Sequence, residues 1–376
     1  MYLRLAFSSL LLAGLTFGAT SPALTKAIDK ANQKAAALPP GRAQEFRLLL
    51  AQALQPNNPQ EAQKLVQSLL IDVRANPALQ DNALLKRGLT TLAPKESAEI
   101  YPAKPSADPT APKPTPVARP TPPAQLAAIS KKMGEMRGLP TDEDRAKLVL
   151  QIVADIRALP ADQPKLGPVS SLGNLVTEGD LGKEALTAVV STMGLALKES
   201  QGSASNYMEL ARLVRYEQVD SPMADPQLDA ANAVLDIHDL VVQETGFSLT
   251  GMGGKTYTLA SLKGKVVLLN FWATWCPPCR REMPDMEKLS QRFGKQGLVV
   301  LAVSDEKRET VEGFLAKQAY TFPVVLDPER KVNDAYGIGG IPNSFVFDRN
   351  GKLVAQSIDM RTERQFLEMF KAAGLQ

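Results

Sequence analysis

Phe271-Trp-Ala-Thr-Trp-Cys-Pro-Pro-Cys279 holds both cysteines of this 376-residue chain. An apolar run at residues 266–269 precedes the stretch, and a helix-like segment begins at its two prolines. The pattern predicts that Cys276 stands where a buried strand gives way to a helix. Unpaired amides and the dipole at a helix N-terminus stabilise an anion, which lowers the pKa of a thiol at that position. Cys276 is therefore the candidate nucleophile.

The three-residue spacing of the cysteines determines the expected chemistry. We expect Cys276 to be exposed at the helix end and Cys279 to be shielded by the first turn. Cys276 would attack a partner disulfide, and Cys279 would then release the reduced partner by closing the internal bridge. Pro277 and Pro278 suit the first helical positions, where a missing N–H costs little.

A C-x-x-C pair also occurs as half of a zinc site, which needs four ligands. The chain has no second C-x-x-C and only one histidine, His238, so a paired set is missing. Two-coordinate copper binding stays open as an alternative role of the cysteines. We expect no metal and no cofactor, and we expect His238 to be a packed or surface residue.

Composition limits the number of domains and the kinds of partner. A length of 376 residues allows two or three domains. The 43 basic and 40 acidic residues give a net charge of only +3, and no basic patch with interleaved aromatics is present. Nucleic acid is therefore not an expected partner. Two cysteines in one pair exclude a disulfide-stapled scaffold.

The N-terminus has the pattern of an export signal. Arg4 precedes an apolar segment at residues 5–17, and small residues follow up to Ala23. The segment is shorter than the ~20 residues of a spanning helix, so cleavage after Ala23 is predicted. An uncleaved membrane anchor is the alternative. Both predict a periplasmic or otherwise extracytoplasmic protein, soluble or anchored to the membrane through its N-terminus.

The region before the cysteine pair is predicted to be helical and internally duplicated. In the first part, apolar residues fall at helical spacing at Phe46, Leu49, Leu50 and Ala53. Ala27-Ile-x-Lys and Leu38-Pro recur at the same offset as Ala128-Ile-x-Lys and Leu139-Pro, which indicates two related units. The predicted organisation is a signal peptide or anchor at 1–23, helical unit 1 at 24–100, a proline-rich linker at 101–123, helical unit 2 at 124–217, a connector at 218–243 and an α/β domain at 244–376.

The last third of the chain alternates between strand and helix patterns. A hairpin is predicted around Gly251-Met-Gly-Gly-Lys255, and a buried central strand at residues 266–271. The pattern predicts further strands at 298–303, 322–326, 344–347 and 353–358, and helices at 282–293, 309–318 and 363–373. Continuous apolar strands separated by helices indicate an α/β sheet covered on both faces.

Two stretches of this last third carry a family resemblance. The segment from Lys265 to Pro284, and Tyr336-Gly-Ile-Gly-Gly-Ile-Pro-Asn-Ser-Phe345 after it, resemble the TlpA/ResA family of exported thiol–disulfide oxidoreductases. The resemblance covers residues 246–376. It implies an α/β thioredoxin-like domain, with a central mixed sheet flanked by helices, preceded here by an all-α region.

The resemblance also implies how substrate binds. The bond between Ile341 and Pro342 should be cis, and a cis-proline facing the thiols would present an extended backbone edge to a substrate peptide. The substrate-binding residues implied in this way are Trp275, Pro277, Ile341 and Pro342.

A glutamate and two asparagines complete the comparison with the family pattern. Glu282 corresponds to a family glutamate near the active site, and it is a candidate proton relay for Cys279, with a solvated helix glutamate as the alternative. Asn270 stands where cytoplasmic thioredoxins have a buried aspartate. Asn343 stands where this family usually has threonine, which weakens assignment to a cytochrome-maturation pathway.

The resemblance implies an enzyme that acts on protein thiols and disulfides and receives electrons from a membrane-bound donor. Two other functions stay open. A thiol peroxidase of the related peroxiredoxin class should have Pro-x-x-x-Thr-x-x-Cys, whereas Thr274 lies only two positions before Cys276. A scaffold would instead bind partners through its helical units and carry an accessory thioredoxin-like domain. The sequence leaves the oligomeric state open.

Overall fold

The structure, a computed structural model, describes residues 20–102, 123–176 and 180–375. Most of the predicted signal segment and nearly all of the predicted proline-rich linker lie outside the described residues. Within those three ranges, no helix combines the length and the apolar character needed to cross a membrane.

The described part of the chain up to residue 245 is helical. Its helices are α1 (Pro22–Ala36), α2 (Arg42–Leu54), α3 (Pro59–Ala75), α4 (Pro77–Gln80), α5 (Ala83–Leu92), α6 (Pro94–Ala98), α7 (Ala124–Glu135), α8 (Asp142–Arg157), α9 (Leu166–Leu175), α10 (Gly182–Ser200), α11 (Ala204–Tyr216) and α12 (Pro226–Thr245).

Strands and helices alternate after α12. They are β1 (Ser248–Gly251), β2 (Thr256–Thr258), β3 (Val266–Phe271), α13 (Pro277–Phe293), β4 (Leu298–Ser304), α14 (Arg308–Leu315), β5 (Val324–Leu326), α15 (Lys331–Ala335), β6 (Asn343–Phe347), β7 (Leu353–Ile358) and α16 (Glu363–Ala372).

The strands form one mixed sheet in the order β2-β1-β5-β4-β3-β6-β7. β4 runs parallel to its neighbours β3 and β5, whereas the remaining pairs are antiparallel. A thioredoxin-like mixed sheet preceded by an all-α region confirms the predicted fold class.

β3 lies in the interior of the sheet, and all six of its side chains are buried. Successive residues point to opposite faces, so Val266 and Leu268 pack with Met283 of α13, whereas Val267 and Leu269 pack on the other face. Two covered faces explain why this strand has a continuous apolar sequence. The active-site segment follows directly from its last residue.

The two predicted helical units share one hydrophobic core. Phe46 of α2, Val149 of α8 and Leu210 of α11 belong to the same buried cluster. Glu45 links the units directly, because its carboxylate accepts the N–H of Ala204 at the start of α11 at 2.8 Å. Whether the units arose by duplication stays a prediction, but they pack as one helical region.

The segment predicted as a connector at 218–243 contains most of α12, which is an integral part of the fold. Leu228 and Ile237 of α12 lie in the core of the helical region, whereas Val242 packs with Phe247 against the sheet. α12 therefore belongs to both hydrophobic cores and joins the helical region to the sheet.

The observed boundaries differ elsewhere by a few residues. α13 begins at Pro277, where the helix-like segment was predicted to begin, and includes the amphipathic stretch predicted at 282–293. β5 begins at Val324, two residues later than predicted, and α14 ends at Leu315, three residues earlier. α15 was not predicted, because five residues are too few to show a helical period.

Candidate active site

The cysteine pair lies at the N-terminus of α13. Cys276 is the residue before the first helical position, and its Sγ accepts the N–H of Cys279 at 3.2 Å. Pro277 and Pro278 occupy the start of the helix, as the sequence predicted. The two sulfurs are joined in a disulfide, so the structure represents the oxidised form.

The surroundings of the disulfide are more closed than predicted. Cys276 is only 2% exposed and Cys279 is fully buried, so the expectation that the first cysteine is exposed is wrong for the oxidised form. The reason is the loop before β6, whose Ile341 carbonyl oxygen lies 3.8 Å from Cys276 Sγ. Trp275, the preceding residue, is 69% exposed.

The Ile341–Pro342 peptide bond is cis, which confirms that expectation. Asn343 follows it in β6 and pairs with Phe271 at the end of β3, which places the loop beside the cysteines. The Pro342 carbonyl already accepts the N–H of Asp359 at 3.0 Å. Of the predicted substrate-binding residues, Trp275 and Pro277 are exposed, Ile341 is half-buried and Pro342 is buried.

Glu282 is buried behind the cysteines, not solvated. It lies on α13 three residues after Cys279, a spacing that places both on the same helix face. Its Oε1 accepts Asn270 Nδ2 at 2.7 Å, and its Oε2 accepts the backbone N–H of Arg361 at 2.9 Å. Burial raises the pKa of Glu282 to about 8, although the two hydrogen bonds oppose this by stabilising the carboxylate.

Asn270, on β3 of the sheet, is hydrogen-bonded to Glu282. Its Nδ2 also donates to Ser344 Oγ of the neighbouring strand at 2.9 Å. Ser344 is paired in turn with Ser357 of β7, so small polar side chains cross three strands within an otherwise apolar sheet. Asn270 Oδ1 is buried and has no hydrogen-bond partner among the described residues.

Sequence reasoning missed an ion pair that lies next to this network. The Arg361 guanidinium donates to both carboxylate oxygens of Glu217, at 2.6 and 3.0 Å, and both side chains are buried. Glu217 directly follows α11, 144 positions before its partner. No local pattern could have paired residues so far apart.

Sequence reasoning also missed a carboxylate that holds the loop before Cys276. Glu306 accepts the backbone N–H of Thr274 at 2.6 Å and its hydroxyl at 2.7 Å. Ser304, at the end of β4, contacts the same carboxylate. Since β3 and β4 are parallel neighbours, the loops after them meet at one sheet edge. An acidic residue just after β4 was the available signal.

The helical region supports the loop that carries the cis-proline. Asn57, between α2 and α3, donates to the carbonyl of Ala335 at the end of α15 at 2.7 Å. His238 of α12 is half-buried beside Gly337, whose φ of +65° places it in the left-handed region. Within the described ranges, no three or more His, Cys, Asp or Glu residues are grouped to hold a metal ion.

A cysteine pair at a strand-to-helix junction, beside a cis-proline on a mixed sheet, defines a thioredoxin-fold thiol–disulfide oxidoreductase. Residues 243–356 match the AhpC/TSA family. The chain belongs to the TlpA/ResA-like family of thiol–disulfide oxidoreductases.

Individual relatives match the last third of the chain. Thiol-disulfide oxidoreductase ResA of Bacillus thuringiensis (strain Al Hakam) is 41% identical over 120 residues, which are 32% of this chain and 69% of that protein. The protein of the same name from Geobacillus thermodenitrificans (strain NG80-2) is 40% identical over 129 residues, 33% of this chain and 74% of that protein. The crystal structure of StoA from Bacillus subtilis is 28% identical with a TM-score of 0.31, covering 33% of this chain and 96% of that one.

Proposed function

We propose that the protein is an exported thiol–disulfide oxidoreductase that reduces protein disulfides through Cys276 and Cys279. The observation that carries the proposal is the disulfide at the start of α13, covered by the cis-proline loop. A thiolate formed there faces the end of a helix that favours negative charge, and the same loop offers a backbone edge for a substrate.

Turnover starts from the reduced pair. The Cys276 thiolate attacks one sulfur of a substrate disulfide, a bond between Cys276 and the substrate forms, and the other substrate sulfur leaves as a thiolate that takes up a proton. The Cys279 thiolate then attacks Cys276 Sγ. This step closes the internal disulfide and releases the second substrate sulfur, so two electrons pass from the protein to the substrate.

Glu282 supplies the base for the second step. Cys279 must lose its proton before it can attack, and it lies on the same face of α13 as the Glu282 carboxyl group. Burial raises the pKa of Glu282 to about 8, so its carboxylate is a stronger base than that of an ordinary glutamate. It would take the thiol proton directly or through a water molecule.

The substrate-binding surface combines an apolar contact with a backbone contact. Trp275 and Pro277 are exposed beside the cysteines, and Ile341 is half-buried opposite them. Because the Pro342 carbonyl is already bonded to Asp359, the Ile341 backbone is the group left to pair with a substrate strand. A membrane-bound dithiol donor would return the internal disulfide to the reduced state.

We also propose that the chain is exported by its N-terminal segment, and that any cleavage occurs before Thr20. Thr20 Oγ1 accepts Asn58 Nδ2 at 2.9 Å, and Ser21 Oγ accepts the N–H of Leu24 to cap α1. Cleavage after Ala23 would remove both contacts. N-terminal sequencing of protein purified from the extracytoplasmic fraction tests the position, and recovery from the cytoplasm alone contradicts export.

A trapping experiment tests the chemistry. Cys279→Ser leaves the first step intact and blocks the second, so a purified disulfide-bonded substrate such as insulin should accumulate as a mixed disulfide with Cys276. Cys276→Ser is the matched control and should trap nothing. Equal trapping by both variants, or by neither, contradicts the proposed roles.

Three measurements distinguish the proposal from the other functions and fix the redox direction. Consumption of hydrogen peroxide at a rate above that of insulin reduction would favour a peroxidase. The reduction potential of Cys276–Cys279 gives the direction: a value near about −270 mV supports a reductant, whereas one near about −120 mV would make the protein an oxidant. Rescue of a deletion strain by the helical region without the cysteines would favour a scaffold.

A further inference from the structure

The buried ion pair between Glu217 and Arg361 joins the helical region to the redox domain next to Glu282. Glu217 and Arg361 are 5% and 2% exposed, and the two hydrogen bonds between them form a bidentate contact. Breaking such a pair by removing one partner leaves an uncompensated charge in the interior. The pair therefore fixes Arg361 firmly relative to α11.

Arg361 acts on Glu282 in two ways. Its backbone N–H donates to Glu282 Oε2 at 2.9 Å, and its guanidinium stabilises the same carboxylate electrostatically. Its side chain is bound to Glu217 in the helical region. Arg361 therefore contacts both Glu217 of the helical region and the buried carboxyl group of Glu282.

Few other charged groups act on Glu282. Asp359, in the loop after β7, opposes Arg361 by disfavouring the carboxylate. Cys279 is the titratable group one turn earlier on α13, and β3 and β6 contribute only the neutral side chains of Asn270 and Ser344. One cation and one anion therefore act on Glu282 in opposite directions, and the cation is the one that Glu217 binds.

We propose that Glu217 is a positioning residue through which the helical region sets the protonation of Glu282. Glu217 neutralises the Arg361 guanidinium and holds in place the backbone amide that Glu282 accepts. The consequence for turnover rests on the proposed function, because it assumes that Glu282 takes the proton of Cys279. The titration of Glu282 itself can be followed without turnover.

The two single charge deletions should shift this titration in opposite directions. Glu217→Gln leaves the Arg361 cation uncompensated, which favours the Glu282 carboxylate and lowers its pKa. Arg361→Gln removes the cation and leaves Glu217 as a buried anion, which raises that pKa. An opposite charge at close range moves a carboxyl pKa by roughly one to three pH units, so we expect a change of about one pH unit in each direction.

The measurement is a carbon-13 titration of the oxidised full-length protein labelled at glutamate side chains. The Glu282 resonance is the one lost in Glu282→Gln, and its wild-type midpoint should lie near pH 8. Glu217→Asp keeps the charge and should keep the midpoint near the wild-type value. In the reduced protein, the pH profile of the resolving step should move in the same direction as each midpoint.

Asp180→Asn is the matched control. Asp180 of the helical region also forms an ion pair with a residue of the redox domain, Arg364 of α16, but it has no contact with Glu282 among those the structure describes. Its loss should leave the midpoint unchanged. Equal shifts in this control and in Glu217→Gln would show a general loosening of the interface and overturn the proposal.

The outcomes separate coupling from structural damage and from a wrong function. If Glu217 merely held the regions together, both charge deletions would admit water and lower the Glu282 midpoint, because burial is the main cause of its raised pKa. Shifts in the same direction, or none, therefore contradict the proposal.

If a single variant does not fold, the double variant Glu217→Gln with Arg361→Gln serves instead, because it leaves neither ion of the pair unpaired. The Glu282 midpoint in the double variant should rise above the wild-type value. An unchanged midpoint there also contradicts the proposal. Opposite shifts without any disulfide reductase activity would support the coupling and refute the function.

Discussion

Replacing Glu282 with glutamine should change how stability depends on pH. The carboxyl group has an ordinary pKa of 4.5 in the unfolded chain, and burial raises it to about 8 in the folded protein. Between these values the folded protein keeps a proton that the unfolded chain releases, so wild-type stability falls as pH rises. The loss starts near pH 4.5 and is complete near pH 8.

The size of the effect follows from the width of that interval. Each pH unit corresponds to about 1.36 kcal/mol, so wild type should lose roughly 3 kcal/mol between about pH 5 and about pH 7.5 through this one group. Glu282→Gln cannot ionise and lacks this loss. Its amide must also meet the N–H groups of Asn270 and Arg361, but that cost does not depend on pH. The difference in free energy of unfolding between the two proteins therefore changes with pH only through the titration of Glu282.

Urea unfolding of the oxidised proteins, followed by tryptophan fluorescence, measures this difference. Both tryptophans of the chain, at positions 272 and 275, lie in the active-site segment, so the signal reports on the redox domain. The free energy of unfolding of Glu282→Gln, relative to that of wild type, should increase by roughly 3 kcal/mol between about pH 5 and about pH 7.5. A difference that stays constant with pH would refute the raised pKa of Glu282.

Glu287→Gln on the same helix is the matched control. Burial acts to raise the pKa of Glu287, but hydrogen bonds from the Thr321 hydroxyl and amide, and from Gln291, together hold it below its ordinary value. Its contribution to stability is therefore present above pH 4.5 and is lost only as pH falls further. Between about pH 5 and about pH 7.5, the difference between this variant and wild type should stay constant.

Three further variants test the supports of the site. Glu306→Gln weakens the two hydrogen bonds that hold Thr274. It should lower the free energy of unfolding in urea by about 2 kcal/mol and lower the rate of insulin reduction. An unchanged rate would show that this loop needs no such support. Asn57→Ala removes the hydrogen bond to the Ala335 carbonyl. It should lower the free energy of unfolding by about 1 kcal/mol and speed amide hydrogen exchange in residues 331–342. Unchanged exchange there would show that the helical region does not support the cis-proline loop. Trp275→Ala should change the free energy of unfolding by no more than about 0.5 kcal/mol, because the side chain is 69% exposed. The KM for insulin should rise. An unchanged KM would show that Trp275 is not part of the substrate-binding surface.

The parts of the site that lie close together in sequence could be predicted. The apolar run, the cysteines and the prolines lie within one short segment, and local rules place Cys276 before the first turn of α13. The cis bond before Pro342 followed from resemblance, because a proline alone does not specify its isomer. The covered α/β sheet followed from continuous apolar runs separated by helices, whereas its mixed strand directions followed from the resemblance.

The parts that depend on distant contacts could not be predicted. Cys276 is covered by a loop 65 positions later, so its burial could not be read from the segment around it. The pairing of Glu217 with Arg361 spans 144 positions and crosses from the helical region to the redox domain. The role of α12 was missed for a similar reason, because its amphipathic pattern does not show that its two ends pack in different cores.

The hydrogen bonds around Glu282 suit its two protonation states unequally. Both oxygens accept N–H groups, from Asn270 and from Arg361, which fits a carboxylate, whereas burial favours the neutral acid. A neutral acid needs an acceptor for its O–H, and the buried Asn270 Oδ1 has no partner in the described structure. Rotation of the Asn270 amide would offer that oxygen to Glu282, and the Ser344 hydroxyl could then donate to it instead of accepting. The Arg361 amide would stay on the other oxygen in both states. Asparagine at position 270 therefore offers Glu282 a donor or an acceptor according to its protonation state, and the rotation places Nδ2 where Oδ1 now lies without a partner in the described structure. An aspartate at this position would instead add a second negative charge beside Glu282.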